Sequence, residues 1–98
     1  MKFASGDTVI VILRDPREKL LGVLSEIDPA GVTLRGIELS YFEDWIRSII
    51  DDEPYLPMND LFIPMWRIER ISRDEPNNEI PSMAEQFESR TKRSLTEF

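Results

Sequence analysis

Leu20-Leu21-Gly22-Val23-Leu24-Ser25-Glu26-Ile27-Asp28-Pro29-Ala30-Gly31-Val32-Thr33-Leu34-Arg35-Gly36-Ile37 reads as two extended segments folded about one turn. Asp28 offers a carboxylate to nearby amides, Pro29 presets its own φ and Gly31 tolerates a bulge, a combination that a type I hairpin turn prefers. On the near side of the turn Gly22 and Leu24 share one parity and Val23 and Ile27 the other; on the far side Val32, Leu34 and Gly36 alternate with Thr33 and Arg35. Period-2 patterning of this kind predicts strands. Gly22, inside such a strand, predicts a bend, a bulge or a close backbone approach.

Working outward, Thr8-Val9-Ile10-Val11-Ile12-Leu13 is β-branched and apolar on both parities, opened by Gly6-Asp7 and closed by Arg14-Asp15-Pro16. A strand with that pattern is expected to be buried on both faces. Beyond the third strand, Ser40-Tyr41-Phe42-Glu43 has the S-x-x-E form of a capping box, and Phe42, Trp45, Ile46, Ile49 and Ile50 follow at helical spacing, which predicts a helix over 40–51 bounded by Pro54. Residues 54–60 contain two prolines and no period, so they read as a loop. Leu61-Phe62-Ile63 reads as a short fourth strand stopped by Pro64. Trp66 to Ser72 reads as a fifth, with Ile68 and Ile71 three apart predicting a turn or bulge. After Arg73 comes a polar linker and then Ser82-Met83-Ala84-Glu85, a second capping box, from which a tail helix of about three turns runs towards Arg93. Its apolar stripe of Met83, Ala84 and Phe87 is narrow and needs another surface to cover it. Ser94-Leu95-Thr96-Glu97 repeats the box and is expected to be truncated or to mature only on a partner.

Three of these segments, Val9-x-Val11-x-Leu13, Gly22-x-Leu24-x-x-x-Asp28 and Val32-x-Leu34, resemble the first signature block of Sm-like proteins. Phe62 to Ile71 is similar to the closing strands of SH3-like barrels, where a Pro-containing turn leads into the last strand. Taken whole, the chain resembles bacterial small-barrel proteins of these types. The resemblance implies a mainly β (α+β) fold: a five-stranded SH3-like/Sm-like barrel over 1–73, with a helix inserted between strands 3 and 4, followed by a linker and C-terminal helical tail over 74–98. It also implies a ring or dimer formed through strand edges. Sm-like proteins bring an Asn to the RNA just after the second strand, where this chain has Pro29, Ala30 and Gly31, and Arg35-Gly36 stands in the third strand rather than after the fourth. Assembly is therefore expected ahead of RNA binding, and an Sm-like RNA-binding protein is the alternative reading.

Composition narrows the function further. The chain of 98 residues supports one compact core, and 41% hydrophobic with 32% charged residues marks an ordinary globular protein. Cysteine and histidine are both absent, which removes the disulfide framework, the thiolate nucleophile, the usual general base and the commonest metal ligand. No cofactor, metal or catalytic residue is expected, and the function predicted is a non-catalytic module. Gly6 and Asp7 interrupt the N-terminal stretch before an apolar run develops, and no segment approaches the ~20 apolar residues of a span, so a cytoplasmic protein without membrane contact is expected.

The net charge of −7 speaks against general phosphate-backbone binding and is unevenly spread. Residues 38–60 hold seven acids against Arg47 alone, whereas 61–73 hold Arg67, Arg70 and Arg73 against Glu69. Asp51, Asp52, Glu53 and Asp60 form the densest acidic group; Mg²⁺ or Ca²⁺ binding is one reading, a solvated helix end the plainer one. Acids there face the negative end of the helix dipole, so the basic strand of the same or a neighbouring subunit is expected to compensate them. Trp45 sits in the helical stripe and is expected in the core. Trp66, Arg67, Arg70, Arg73 and Phe87 are the candidate partner-binding residues, with a second copy of the chain or another protein as the partner.

Overall fold

Five strands and two α-helices form along the chain in the computed structural model, which describes residues 2–98. β1 (Thr8–Leu13), β2 (Glu18–Asp28) and β3 (Gly31–Glu38) come first. A 3-10 turn (Leu39–Tyr41) then runs into α1 (Phe42–Ile50), which is followed by β4 (Asn59–Pro64). A second 3-10 turn (Met65–Arg67) leads to β5 (Ile68–Arg73), then α2 (Met83–Thr91) and a third 3-10 turn (Leu95–Glu97). Every pairing is antiparallel, in the spatial order β4-β3-β2-β1-β5. The expected α+β class, with one helix between β3 and β4 and another towards the C-terminal side, is observed.

The β2–β3 hairpin forms as its turn chemistry dictates: the Asp28 carboxylate accepts from the Ala30 and Gly31 amides at 2.8 and 3.3 Å. Gly22 proves to be a close approach rather than a bulge. It faces Gly36 across the ladder, and a Cβ on it would stand 2.6 Å from the Arg35 carbonyl oxygen and 2.9 Å from the Gly36 Cα. The β2 register shift falls instead between Leu24 and Glu26, leaving Ser25 unpaired, and bulges of this kind add local bend and twist. The expected irregularity in the last strand is also present. Ile12 pairs with Arg70 and Leu13 with Ile68, so Glu69 is the extra residue.

Two cores result, one on each face of the sheet. Val9, Val11 and Leu13 of β1 join Leu20 and Leu24 of β2 and Val32 and Leu34 of β3 on one face, with Leu61, Ile63, Ile68, Ile71 and Phe3 packed around them. Ile10, Leu21, Val23 and Ile37 point the other way and are covered by Phe42, Trp45 and Ile46 of α1, by Met58, and by Phe87, Leu95 and Phe98. β1 is thus buried on both sides, as its uninterrupted apolar run requires. Each large side chain buried this way contributes roughly 1.5–3 kcal/mol.

The helix ends depart from expectation at one box and obey it at two. Tyr41, not Ser40, occupies the N-cap of α1, and no side chain caps it. The chain leaves β3 through the 3-10 turn, where the Phe42 amide donates to the Leu39 carbonyl, while the Glu43 carboxylate that would have reached back accepts from Arg90 of α2 at 2.9 Å. Ser82 and Glu85 do form their reciprocal box, at 3.1 and 2.9 Å. So do Ser94 and Glu97, which close a single 3-10 turn and bury Leu95 and Phe98 within the chain itself, correcting the expectation that this segment matures only on a partner. The linker is less idle than its polarity suggested: the Asp74 carboxylate accepts from the Met83 and Ala84 amides at 2.7 and 2.8 Å, tying the end of β5 to the start of α2.

Candidate functional site

Among the candidate residues, Trp66 is the one whose large apolar side chain faces solvent, at 61% exposure. It sits at the centre of the Met65–Arg67 turn, and that turn is braced at both ends. The Met65 amide donates to the Ala30 carbonyl at the hairpin tip (2.9 Å), and the Arg14 amide donates to the Arg67 carbonyl at the end of β1 (2.8 Å). Arg14 Nε donates to the Trp66 carbonyl at 2.8 Å. Arg67 returns the contact, with Nε on the Arg14 carbonyl (3.0 Å) and one terminal nitrogen on the Pro16 carbonyl (2.7 Å) and on Glu18 Oε1 (3.0 Å). An exposed aromatic on a backbone held this firmly loses little further freedom when it docks. Met65, Phe62 and Ile27, near the same end of the sheet, are also exposed. The Phe62 ring lies so close over Gly31 that a Cβ there would come within 2.7 Å of it.

The remaining candidates divide by environment. Arg67, with its side chain only 20% exposed, braces the turn; its hydrogen bond to Glu18 holds that carboxyl below the usual glutamate range. Arg73 is likewise committed. Its Nε meets Asp7 at 3.3 Å, it donates to the Lys2 carbonyl, and its guanidinium lies over the Phe3 ring. The Asp7 carboxyl is held low chiefly by the Ala4 amide and also by Arg73. Arg70 is exposed and forms no ion pair among the described residues. Phe87 is fully buried: the narrow stripe of α2 converges with Leu95 and Phe98 on Trp45, its ring centroid 4.7 Å from the indole, so it is a core residue and not a surface contact. Trp45 is in the core as expected, and its indole N–H is without a partner.

Within the chain the basic strand does not compensate the acidic end of α1. Arg67 and Arg73 are taken by Glu18 and Asp7, and Asp60 is met by Arg35 from β3 at 3.4 Å. Asp51, Asp52 and Glu53 are exposed and unpaired among the described residues, where no three acidic groups converge as a metal-holding set. Beside them Ile50, Tyr55 and Leu56 are exposed, giving a second apolar surface, this one acidic. Two open clefts share Glu38: one of about 520 Å³ bordered by Arg17, Lys19 and Ser40, another of about 170 Å³ between Leu20, Tyr41, Leu56 and Leu61. Neither gathers the convergent donors of a built ligand site. No helix among the described residues is long and apolar enough to cross a membrane.

Sequence patterning marked Trp66 through its place after Pro64, but had no means of finding Arg14 as its brace, since the two are 52 residues apart and meet only when β1 pairs with β5. Comparison with protein families, curated proteins and solved structures finds no match for this chain.

Proposed function

We propose that this protein is a non-catalytic small-barrel interaction module that self-associates in the cytoplasm and engages protein through the Trp66 turn and the sheet edges. The observation that carries this reading is Trp66 itself, largely exposed on a turn fixed by hydrogen bonds at both ends. Large aromatics on rigid supports are characteristic anchors of protein interfaces. β4 and β5 end the strand order, so each presents one edge without a neighbouring strand, a surface that proteins pair, cover or charge. Curling of the sheet into an open SH3-like or Sm-like barrel, with the outer edges of β4 and β5 left free, is part of the proposal. It is supported by the three-residue turn that joins the two terminal strands and touches both the hairpin tip and the end of β1.

Light scattering on the purified protein, with and without total cellular RNA at low and moderate salt, tests the reading. A concentration-dependent oligomer indifferent to RNA is expected. A strict monomer would refute self-association, and an oligomer that shifts with RNA at low salt would transfer the function to the Sm-like RNA-binding alternative.

A further inference from the structure

Resting on the self-association proposed above, we infer that the Trp66 surface takes as its partner the acidic segment Ile50–Pro57 of a second copy of this chain. The two surfaces are complementary in both charge and apolar character. Arg14, whose Nε donates to the Trp66 carbonyl, is exposed, as are Arg17 and Lys19 beside the start of β2 and Arg70 in β5, the strand into which the Trp66 turn leads. Lys19 and Arg70 flank Ile12 from β2 and β5 in the register of the sheet, which places them on one face about two strand spacings, or roughly 10 Å, apart. Neither has an ion-pair partner among the described residues, and Arg17 is held only by an exposed contact with Glu69 at 3.5 Å.

The segment Ile50-Asp51-Asp52-Glu53-Pro54-Tyr55-Leu56-Pro57 has the opposite character. Its three carboxylates are exposed and unpaired among the described residues, and they follow the last turn of α1, whose carbonyl end is itself negative. Ile50 and Leu56 are 54% and 64% exposed. The segment is nonetheless ordered: the Leu56 amide donates to the Tyr41 hydroxyl at 3.0 Å, the Tyr55 ring meets Phe98 edge-on at 5.5 Å, and two prolines restrict the backbone. A preformed, acidic, aliphatic segment and a braced, basic, aromatic turn are the halves of one interface, and no hydrogen bond or ion pair joins them among the described residues. Docking one copy's carboxylates among Lys19, Arg70 and Arg17 of the next, with Leu56 and Ile50 against Trp66 and Met65, satisfies both. The contact is charge-steered and weakens with salt.

Sedimentation equilibrium of the full chain tests this with three surface variants: Trp66→Ala, Arg70→Glu and Glu53→Arg, each checked for an unchanged circular dichroism spectrum. Each is expected to weaken self-association by about tenfold or more, the scale of a lost interface anchor. An equimolar mixture of Arg70→Glu and Glu53→Arg is expected to regain association, because each contact in the mixed species then joins opposite charges. A folding defect would not produce such rescue. If all three variants associate as tightly as the wild-type chain, the docking of these surfaces is overturned while self-association through strand edges stands. If the mixture fails to recover, the pairing of these two surfaces is overturned as well.

Discussion

Replacing Asp74 with Ala removes the one carboxylate that accepts from two first-turn amides of α2, those of Met83 and Ala84. Hydrogen bonds to a charged acceptor contribute about 1.5–3 kcal/mol each, and a negative charge at a helix N-terminus adds about 0.3–1 kcal/mol. Asp74 is only half-buried, so water replaces part of what is lost, and the Ser82–Glu85 box still holds the rest of the cap. The net loss expected is about 2–3 kcal/mol. For a domain of this size that lowers Tm by roughly 10–20 °C. Urea melts followed by circular dichroism and tryptophan fluorescence measure it directly, since Trp45 lies against Phe87 of α2 and reports its undocking. Glu75→Ala, an exposed neighbour in the same linker, serves as the control and should stay within about 0.5 kcal/mol of wild type. An Asp74→Ala protein equally close to wild type would refute the idea that this carboxylate ties the tail helix to the sheet.

Phe87→Ala should destabilise by about 3–5 kcal/mol in the same melts, with Trp45 emission shifted towards the red, because it empties the centre of the aromatic group formed with Phe42, Trp45 and Phe98. Gly36→Ala should cost about 1–3 kcal/mol or more, since its methyl would meet the Leu21 carbonyl oxygen and the Gly22 Cα, neither of which can turn aside; a neutral result in a urea melt would contradict the close approach of β2 and β3. Acid should destabilise the protein through Asp7, Glu18, Glu43 and Glu97, whose carboxyls are held below their ordinary range by hydrogen bonds to Ala4, Arg67, Arg90 and the Ser94 amide respectively. A depressed folded-state value contributes stability above the unfolded value of about pH 4 and loses it as pH falls through the folded one. Tm measured from pH 7 to pH 2 should therefore fall below about pH 4, and Arg90→Ala should shallow that fall by releasing Glu43.

Periodicity made the strands and both helices legible because each had a face to bury: the two-sided β1, the Phe42–Trp45–Ile46 stripe and the Asp28–Gly31 turn each carry their reason within a few residues. What escaped depends on partners distant in the chain. Ser40 and Glu43 have the right spacing for a cap, but Arg90 competes for Glu43 from another helix. Phe87 looked like a side chain in want of a partner because its covering surface, Trp45 with Leu95 and Phe98, comes together only in the fold. Arg67 and Arg73, expected to compensate the acidic end of α1, are pinned instead by Glu18 and Asp7 from near the start of the sequence, leaving Arg70 as the one of the three without an ion pair among the described residues. Trp66 was legible, since nothing local required it inside.

The pairing of β1 with β5 also sets a timetable for the chain as it is made. β1 finds β2 almost at once, across a short turn, but its other edge is completed only by residues 68–73. At a synthesis rate of ~5–20 residues per second, the apolar edge of Val9, Val11 and Leu13 stays unpaired for about 3–13 seconds after it is made. Any companion that shields the nascent protein must therefore act on the first strand, and can leave once the last has arrived.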